Sequence, residues 1–548
     1  MPRGKAQDVI RKEELAEKFK AKAKNTFFSL LQKFGSRRKL FPVKRVHKRL
    51  VKHGLLQDQL LSSLLIDAYG KCGEPDRARA VFDTLEEPNS HSWNFMIRIH
   101  ALHNQQAESL SLFKLMQKQG VPQDKYTFSA ALAACSSPAA LPQGKCIHRT
   151  VLKHELEYDA VVATSLINMY GKCGSLRRAN DVFDRMLDRN PIAWTTMVNA
   201  YTKHECHKEA FQLFHQMHME GILATLITCV SVLGACSSLK NITSGKHIHL
   251  YITCNSFELN VKAWNAIINM YAKCGCLDVA YALLMEVPES NVITWTSIIT
   301  AYSQHMRGKE ALQLFHEMMK TEIVPNRVTL VSILDACASL TDLYIGQLMH
   351  TLIVDMESED ETVIGTALVN LYGKCGQLDD ARMLFKRMKE RNLHTWSTMI
   401  GVYTQHGHGK KALALFSRMR RTGLKPDKVT FVHVLSACSR SGLVEEGRHF
   451  FSMMQDEYGI EPTVDHYSCM TDLLGRAGCL DEAEAYIKKL PKELRIVPWR
   501  TMLGACKVQG DVDRGEGAAE RLVELDPTDT APYITLPSIY VGATREMY

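Results

Sequence analysis

Residues able to do acid–base, metal or phosphate chemistry are scattered through this chain without forming working constellations. His218-Met219-Glu220 is an isolated His-x-Glu inside a helical pattern. A zinc deaminase needs, besides that triplet, a downstream Pro-Cys-x-x-Cys, so that two thiolates and an imidazole hold the metal while the Glu moves protons. No Pro-Cys dipeptide and no Cys-x-x-Cys occurs anywhere. Cys274 and Cys276 make a lone Cys-x-Cys, and His204/His207 and His215/His218 have i, i+3 spacing without a third ligand. Solvated helix faces account for these histidines better than zinc does. The Gly-Lys pairs at Gly308 and Gly409 lack the upstream Gly of a phosphate-cradling loop. The sequence predicts no catalytic site, no metal and no cofactor.

What recurs instead is register. Trp93, Trp194, Trp295 and Trp396 stand 101 residues apart, as do Cys72, Cys173, Cys274 and Cys375, and Cys135, Cys236, Cys337 and Cys438. Three residue sets sharing one period are the signature of a repeat array. Eight of the sixteen cysteines fall on these combs, beside small or polar neighbours. They read as small buried helix residues in a reducing compartment, not as a disulfide framework.

Composition fits a folded array. Hydrophobic residues are 46% and charged residues 23% of the 548, which excludes wholesale disorder. No uninterrupted apolar run of 18 residues occurs, so no membrane span is expected. The formal charge of +8 is uneven: residues 1–50 hold 16 Lys and Arg against 4 Asp and Glu, a net of +12, leaving −4 for the rest. Nucleic acid, if bound, must be held by local chemistry more than by bulk charge.

In chain order, residues 1–35 form a basic, partly helical leader. Asp8, Glu13, Glu14 and Glu17 count against a clean targeting presequence, and a charged tail explains the segment as well. Residues 36–58 read as a partial, degenerate repeat. From 59 to 495 the chain divides into thirteen repeats, in blocks of 31, 35 and 35 residues. The short ones start at Gln59, Ala160, Val261, Thr362 and Val464; the first long ones at Ser90, Pro191, Val292 and Leu393; the second long ones at Lys125, Leu226, Arg327 and Lys428. Within 292–326, Trp295, Ile298, Ile299 and Tyr302, and then Ala311, Leu314, Phe315 and Met318, each mark one apolar helix face, with a turn at Met306-Arg307-Gly308. Such short helices are marginal alone, so the hairpins must stack. The Trp comb is then core.

The tetratricopeptide pattern is close. Trp295, Ile298, Tyr302, Ala311, Phe315 and Pro325 match it, but Ile299 stands where it wants Gly, and the 31/35/35 lengths disagree with a uniform 34. The alternation resembles the pentatricopeptide repeat family in its plant-type P-L-S subclass. Asn168-Met169-Tyr170-Gly171-Lys172-Cys173-Gly174 resembles the short (S) motif, Trp295-Thr296-Ser297-Ile298-Ile299 the P motif, and Val331-Ser332-Ile333-Leu334-Asp335-Ala336-Cys337 the L motif. His466 to Met470 and Leu473 to Gly478 resemble the terminal S motif, and Trp499 to Cys506 with Leu525-Asp526-Pro527 the E motif, placed at 496–529. Residues 530–548 resemble a truncated second E-type motif without the deaminase-like DYW domain, and Pro537 falls where it should break a helix. The resemblance implies an all-α fold, a right-handed superhelical solenoid of stacked helix-turn-helix repeats.

It also implies a reader of single-stranded RNA, one base per repeat, through the fifth and last residues of each repeat. Asp only accepts hydrogen bonds and suits the ring N–H of U or G; Asn can face the acceptor nitrogen of A or C. By the same analogy Ser or Thr at the fifth position favours purines and Asn pyrimidines. Ser63 with Asn89 then implies A, Asn94 with Asp124 U, Thr164 with Asn190 A, Asn265 with Asn291 a pyrimidine, Thr296 with Asn326 A, Thr366 with Asn392 A, and Ser397 with Asp427 G. Ser129 with Asp159 would imply G, but L-type repeats follow the pattern poorly; Thr195 with Thr225 and Ser468 with Arg495 depart from it. The expected target is 5′-A-U-n-A-n-n-Y-A-n-A-G-n-n-3′. Against this stands a plainer account: Asn or Asp before a helix is commonly an N-cap. It ends nine of the thirteen repeats, and that recurrence argues for base reading while leaving capping a share.

Resemblance to P-L-S proteins with E motifs implies site recognition in organellar C-to-U RNA editing, in a mitochondrion or plastid, with a DYW-type deaminase or editing cofactor protein supplied in trans. Stabilising or processing a transcript is the other RNA-binding outcome. A tetratricopeptide-like protein-binding scaffold is the rival of a different class.

Overall fold

A computed structural model of the chain describes residues 23–356 and 361–545; the leader up to residue 22 lies outside the described residues. Among the described residues the fold is all-α, built of helix hairpins with no strand. A helix begins at each of Gln59, Ser90, Lys125, Ala160, Pro191, Leu226, Val261, Val292, Arg327, Thr362, Leu393, Lys428 and Val464. The short repeats are short because their second helices, such as Leu176–Arg185 and Leu378–Arg387, have 10 residues where Gly308–Lys320 and Gly409–Arg421 have 13.

The contacts divide the chain into two compact halves, 1–274 and 275–548. Each is a stack of the same kind. In the first half, the first helices Gln59–Lys71, Ser90–Leu102, Lys125–Ala134, Ala160–Lys172, Pro191–Lys203, Leu226–Leu239 and Val261–Lys273 pack each on the next. In the second, Val292–Gln304 begins the same succession, continued through Ile496–Gln509 to Ala531–Arg545. Within each half, second helices lie against their own first helix and the following one, which is the local arrangement of a helical solenoid. The helix at 23–36 joins the first stack, since Gly35 lies close to Ala68.

The apolar faces read from the sequence are the core. Trp295, Ile298, Ile299 and Tyr302 are buried, and so are Ala311, Leu314, Phe315 and Met318. The Trp comb is buried throughout, and Phe82, Phe183 and Phe385 meet Trp93, Trp194 and Trp396 edge-to-face at 4.7, 4.7 and 5.1 Å. Met306, at φ +60°, makes the turn read at 306–308. First helices approach one another closely where Gly stands: a Cβ on Gly70 would lie 2.3 Å from Ile99 Cγ1, and one on Gly373 2.3 Å from Val402 Cγ2. All sixteen cysteines are free thiols, and Cys135, Cys236, Cys337 and Cys438 are buried.

Two readings are corrected. Pro537 does not break the last helix, which runs Ala531–Arg545 through it. Proline removes one hydrogen bond, to the carbonyl of exposed Tyr533, while buried Ile539 anchors the helix by packing at Gly515. His204 is not simply solvated: it is half-buried, and its Nε2 lies 2.6 Å from the Gly171 carbonyl, tying two first helices together.

Candidate nucleic-acid interface

The last residue of each repeat is the N-cap of the next first helix, so the capping account holds as geometry. Asn89 accepts from Ser92 N, Asp124 from Thr127 N, Asn190 from Ala193 N, Asn326 from Thr329 N, Asn392 from Thr395 N and Asp427 from Thr430 N. Stacking then sets the fifth residue of the preceding first helix beside this cap.

The joint has a third member, the third residue of the capped helix. Thr127 Oγ1 donates to Asn94 Oδ1 at 2.6 Å while Asn94 Nδ2 donates to Asp124 Oδ1 at 2.9 Å. Thr329 Oγ1 lies 2.6 Å from Thr296 Oγ1 and 3.1 Å from Asn326 Oδ1. Thr395 joins Thr366 (2.7 Å) to Asn392 (2.9 Å), and Ser92 joins Ser63 (2.8 Å) to Asn89 (3.0 Å). Thr228 lies 2.6 Å from Thr195 and 2.9 Å from Thr225. The sequence reading missed these bridging hydroxyls. Their signal was a Ser or Thr three residues after the cap, the spacing of a capping box.

Other expected pairs are built differently. Thr164 turns its hydroxyl to Ala160 O at 2.6 Å, and residue 193, where a bridging hydroxyl would stand, is alanine. Ser397 is buried, its hydroxyl without a partner, while Asp427 is exposed and engages Thr430 alone. Ser129 Oγ lies 2.8 Å from Ser165 Oγ, while Asp159 caps its helix through Oδ1 and takes Lys125 Nζ on Oδ2 at 3.4 Å. Arg327 and Glu361, at the corresponding positions of a later 35-residue repeat, form the same kind of ion pair at 3.9 Å. Asn265 and Asn291 fall in different compact halves; Asn291 caps Val292–Gln304 with a capping box to Thr294.

The caps decide which polar atoms remain. Oδ1 must accept from the helix N–H groups, and this fixes the amide orientation of each Asn. Nδ2 of Asn89, Asn190, Asn326 and Asn392, and Oδ2 of Asp124 and Asp427, then take no part in the hydrogen bonds of the described residues. On the same face as Thr164, a groove is lined by Asn168, Lys172, Thr196, Asn199 and Lys203. Hydrogen-bonding side chains and two ammonium groups thus share one side of Ala160–Lys172 and Pro191–Lys203.

Family models for the PPR repeat match residues 62–87, 91–121, 161–191, 192–222, 262–292, 366–393, 429–458 and 465–493, and a PPR repeat family model matches 290–339 and 391–440. Two pentatricopeptide repeat-containing proteins of Arabidopsis thaliana are each 35% identical to the chain; one, mitochondrial, matches over 92% of this chain and 73% of its own length, the other over 92% and 69%.

The chain is a pentatricopeptide repeat protein.

A chloroplastic member from the same plant is 36% identical over 94% of this pentatricopeptide repeat chain. The chain spans 64% of that relative's length and 51% of another's. Among solved structures, the maize pentatricopeptide repeat protein PPR10 covers 95% of the chain and 91% of its own at TM-score 0.54 and 16% identity. PPR10 in complex with an 18-nt psaJ RNA element covers 99% and 81% at TM-score 0.59 and 17% identity, a likeness of fold. Among the described residues no helix is long and apolar enough to cross a membrane, and no group of three His, Cys, Asp or Glu is placed to hold a metal ion.

Proposed function

We propose that this protein binds single-stranded RNA in sequence, one nucleotide to each repeat joint. The carrying observation is the atom left over by the caps at Asn89, Asp124, Asn190, Asn326, Asn392 and Asp427. Where the last residue is Asn, that atom is an N–H donor, suited to the acceptor ring nitrogen of A or C. Where it is Asp, the atom is an acceptor, suited to the ring N–H of U or G. The fifth residue is buried beside the cap, and by analogy with the family Ser63, Thr296, Thr366 and Ser397 favour a purine and Asn94 a pyrimidine. Lys172 and Lys203 lie where phosphates of a strand in the groove would pass. The proposed target remains 5′-A-U-n-A-n-n-Y-A-n-A-G-n-n-3′.

The proposed setting is an organelle, supported by the chloroplastic and mitochondrial names of relatives. The motif order P-L-S with E supports a role in choosing cytidines for C-to-U editing, the deamination being done by a DYW-type deaminase in trans. Gel-shift competition tests the first step: RNA with the A and G positions scrambled should compete at least about tenfold more weakly. Equal competition would refute sequence reading. Sequencing organellar transcripts after loss of the gene tests the second; an unchanged set of edited cytidines rules out the editing role.

A further inference from the structure

A half-open cavity of about 350 Å³ lies in the first compact half, between helix Leu141–Lys153 and the hairpin of Ala160–Lys172 and Leu176–Arg185. Its size falls within the roughly 300–1,000 Å³ of small-molecule sites. Leu166 and Tyr170, one turn apart, form its wall. Thr164, Asn168 and Lys172, on the other side of the same helix, line the RNA-facing groove. The two openings therefore face different ways.

Four cations surround the cavity, Lys145, Arg149, Arg178 and Arg185, against two carboxylates, Glu157 and Asp181. None of the four appears in an ion pair among the described residues. The repeat period supplies an internal control. One step of 101 further on, the same positions are Lys246, Leu250, Val279 and Glu286. The framework between them is unchanged: His148 Nδ1 lies 2.9 Å from the Tyr170 hydroxyl, and His249 Nδ1 3.1 Å from that of Tyr271. Gly144 admits Met169 as Gly245 admits Met270. The His–Tyr and Gly–Met contacts do not require the Arg149 guanidinium, since the same contacts form where Leu250 takes its place. Burial, and then Arg185 and Arg178, hold the His148 imidazole below its ordinary pKa against the opposing pull of Glu157, so both guanidiniums act on the cavity side. Tyr158 and Leu152 add exposed apolar surface to the lining.

We propose that this cavity binds a nucleoside polyphosphate, its phosphates among Lys145, Arg149, Arg178 and Arg185 and its base against Tyr158 and Leu152. Guanidinium forks match phosphate oxygens in pairs, and clustered cations select multiply charged esters over neutral nucleosides.

The test uses the full chain with a ribose-labelled fluorescent ATP. Saturable binding is expected, displaced by ATP and by inorganic pyrophosphate, with adenosine at least about tenfold weaker. The triple variant R149L/R178V/R185E carries the side chains that stand one step of 101 further along the sequence. It should bind labelled ATP at least about tenfold more weakly, keep its thermal melt, and bind single-stranded RNA as the parent does. R178V alone should show a smaller loss and serves if the triple variant melts early. No saturable binding by the parent overturns the proposal, as does unchanged affinity in the variants or adenosine competing as well as ATP.

Discussion

Asn94 Nδ2 donates to Asp124 Oδ1 at 2.9 Å, tying the first helix of a repeat to that repeat's last residue. The same carboxylate oxygen accepts from Thr127 N at 2.8 Å, so one atom both starts the next repeat's helix and orients an amide of its own repeat. In the proposed reading, Oδ2 is the atom that faces the base.

Exchanging that oxygen for an N–H tests the arrangement. Asp124→Asn keeps the cap, because Asn and Asp cap about equally well, so stability should change by less than about 0.5 kcal/mol. The preferred base at the second position should pass from uridine to cytidine, with a reversal on the order of fivefold or more in competition, about 1 kcal/mol of hydrogen bonding. Retained preference for uridine would show that Oδ2 does not face the base.

Asp159 differs because Lys125 occupies its Oδ2 at 3.4 Å. Lys125→Met should release that oxygen and create a guanosine preference of roughly threefold at the third position, read by the same competition. A third position still indifferent to base would mean that the ion pair is not what silences this repeat.

The bridging hydroxyls should matter to folding. Thr329 is fully buried and joins Thr296 to Asn326. Thr329→Val keeps the shape and removes the bridge, at an expected cost of about 1–2 kcal/mol by urea unfolding. Ser297 supplies the control, since its hydroxyl only bonds its own helix, at Ile293 O 2.8 Å away. Ser297→Ala should therefore change stability by less than about 0.5 kcal/mol.

Close approach of first helices gives a packing test. Gly373→Ala drives its methyl group into Val402, and about 1–3 kcal/mol of destabilisation is expected. Adding Val402→Ala should restore part of it. Additive losses in the double-mutant cycle would mean that the two sites do not touch in solution.

His466 makes stability depend on pH. It is fully buried; Thr463 N donates to its Nδ1 at 3.0 Å, and its Nε2–H donates to the Lys428 carbonyl at 2.9 Å. Burial, chiefly, holds its pKa below the ordinary 6.5. The unfolded chain therefore takes up the proton first. The stabilisation is complete above pH 6.5 and is lost as pH falls from there toward the lowered value. His466→Asn should flatten that part of the stability–pH curve; an unchanged slope would place the titration elsewhere.

The helical scaffold was legible because its marks are large and periodic. Trp295 and its partners report burial, and the 101-residue step reports stacking, without any long-range contact being known. The joints were half legible. Asn and Asp at the repeat ends could be read as caps or as base readers, and the structure makes them caps, with the second atom unused at Asn89, Asp124, Asn190, Asn326, Asn392 and Asp427. The bridging Thr127, Thr329 and Thr395 were hidden in plain helix-start statistics, since a hydroxyl that reaches across to another repeat has the same sequence appearance as one bonded locally. Pro537 misled because a helix-breaking propensity was weighed without the tertiary contact at Ile539 that holds the helix together.

That each joint's cap belongs to one repeat and serves the helix of the next has an evolutionary consequence. Asn and Asp are near-equivalents for starting a helix, and a single nucleotide change in the gene converts one into the other. If these caps read bases as proposed, a lineage can therefore drift between recognising different RNA letters with its fold almost undisturbed. Selection on the target sequence then acts nearly alone at these positions, while at Gly373 or Thr329 it acts through the scaffold.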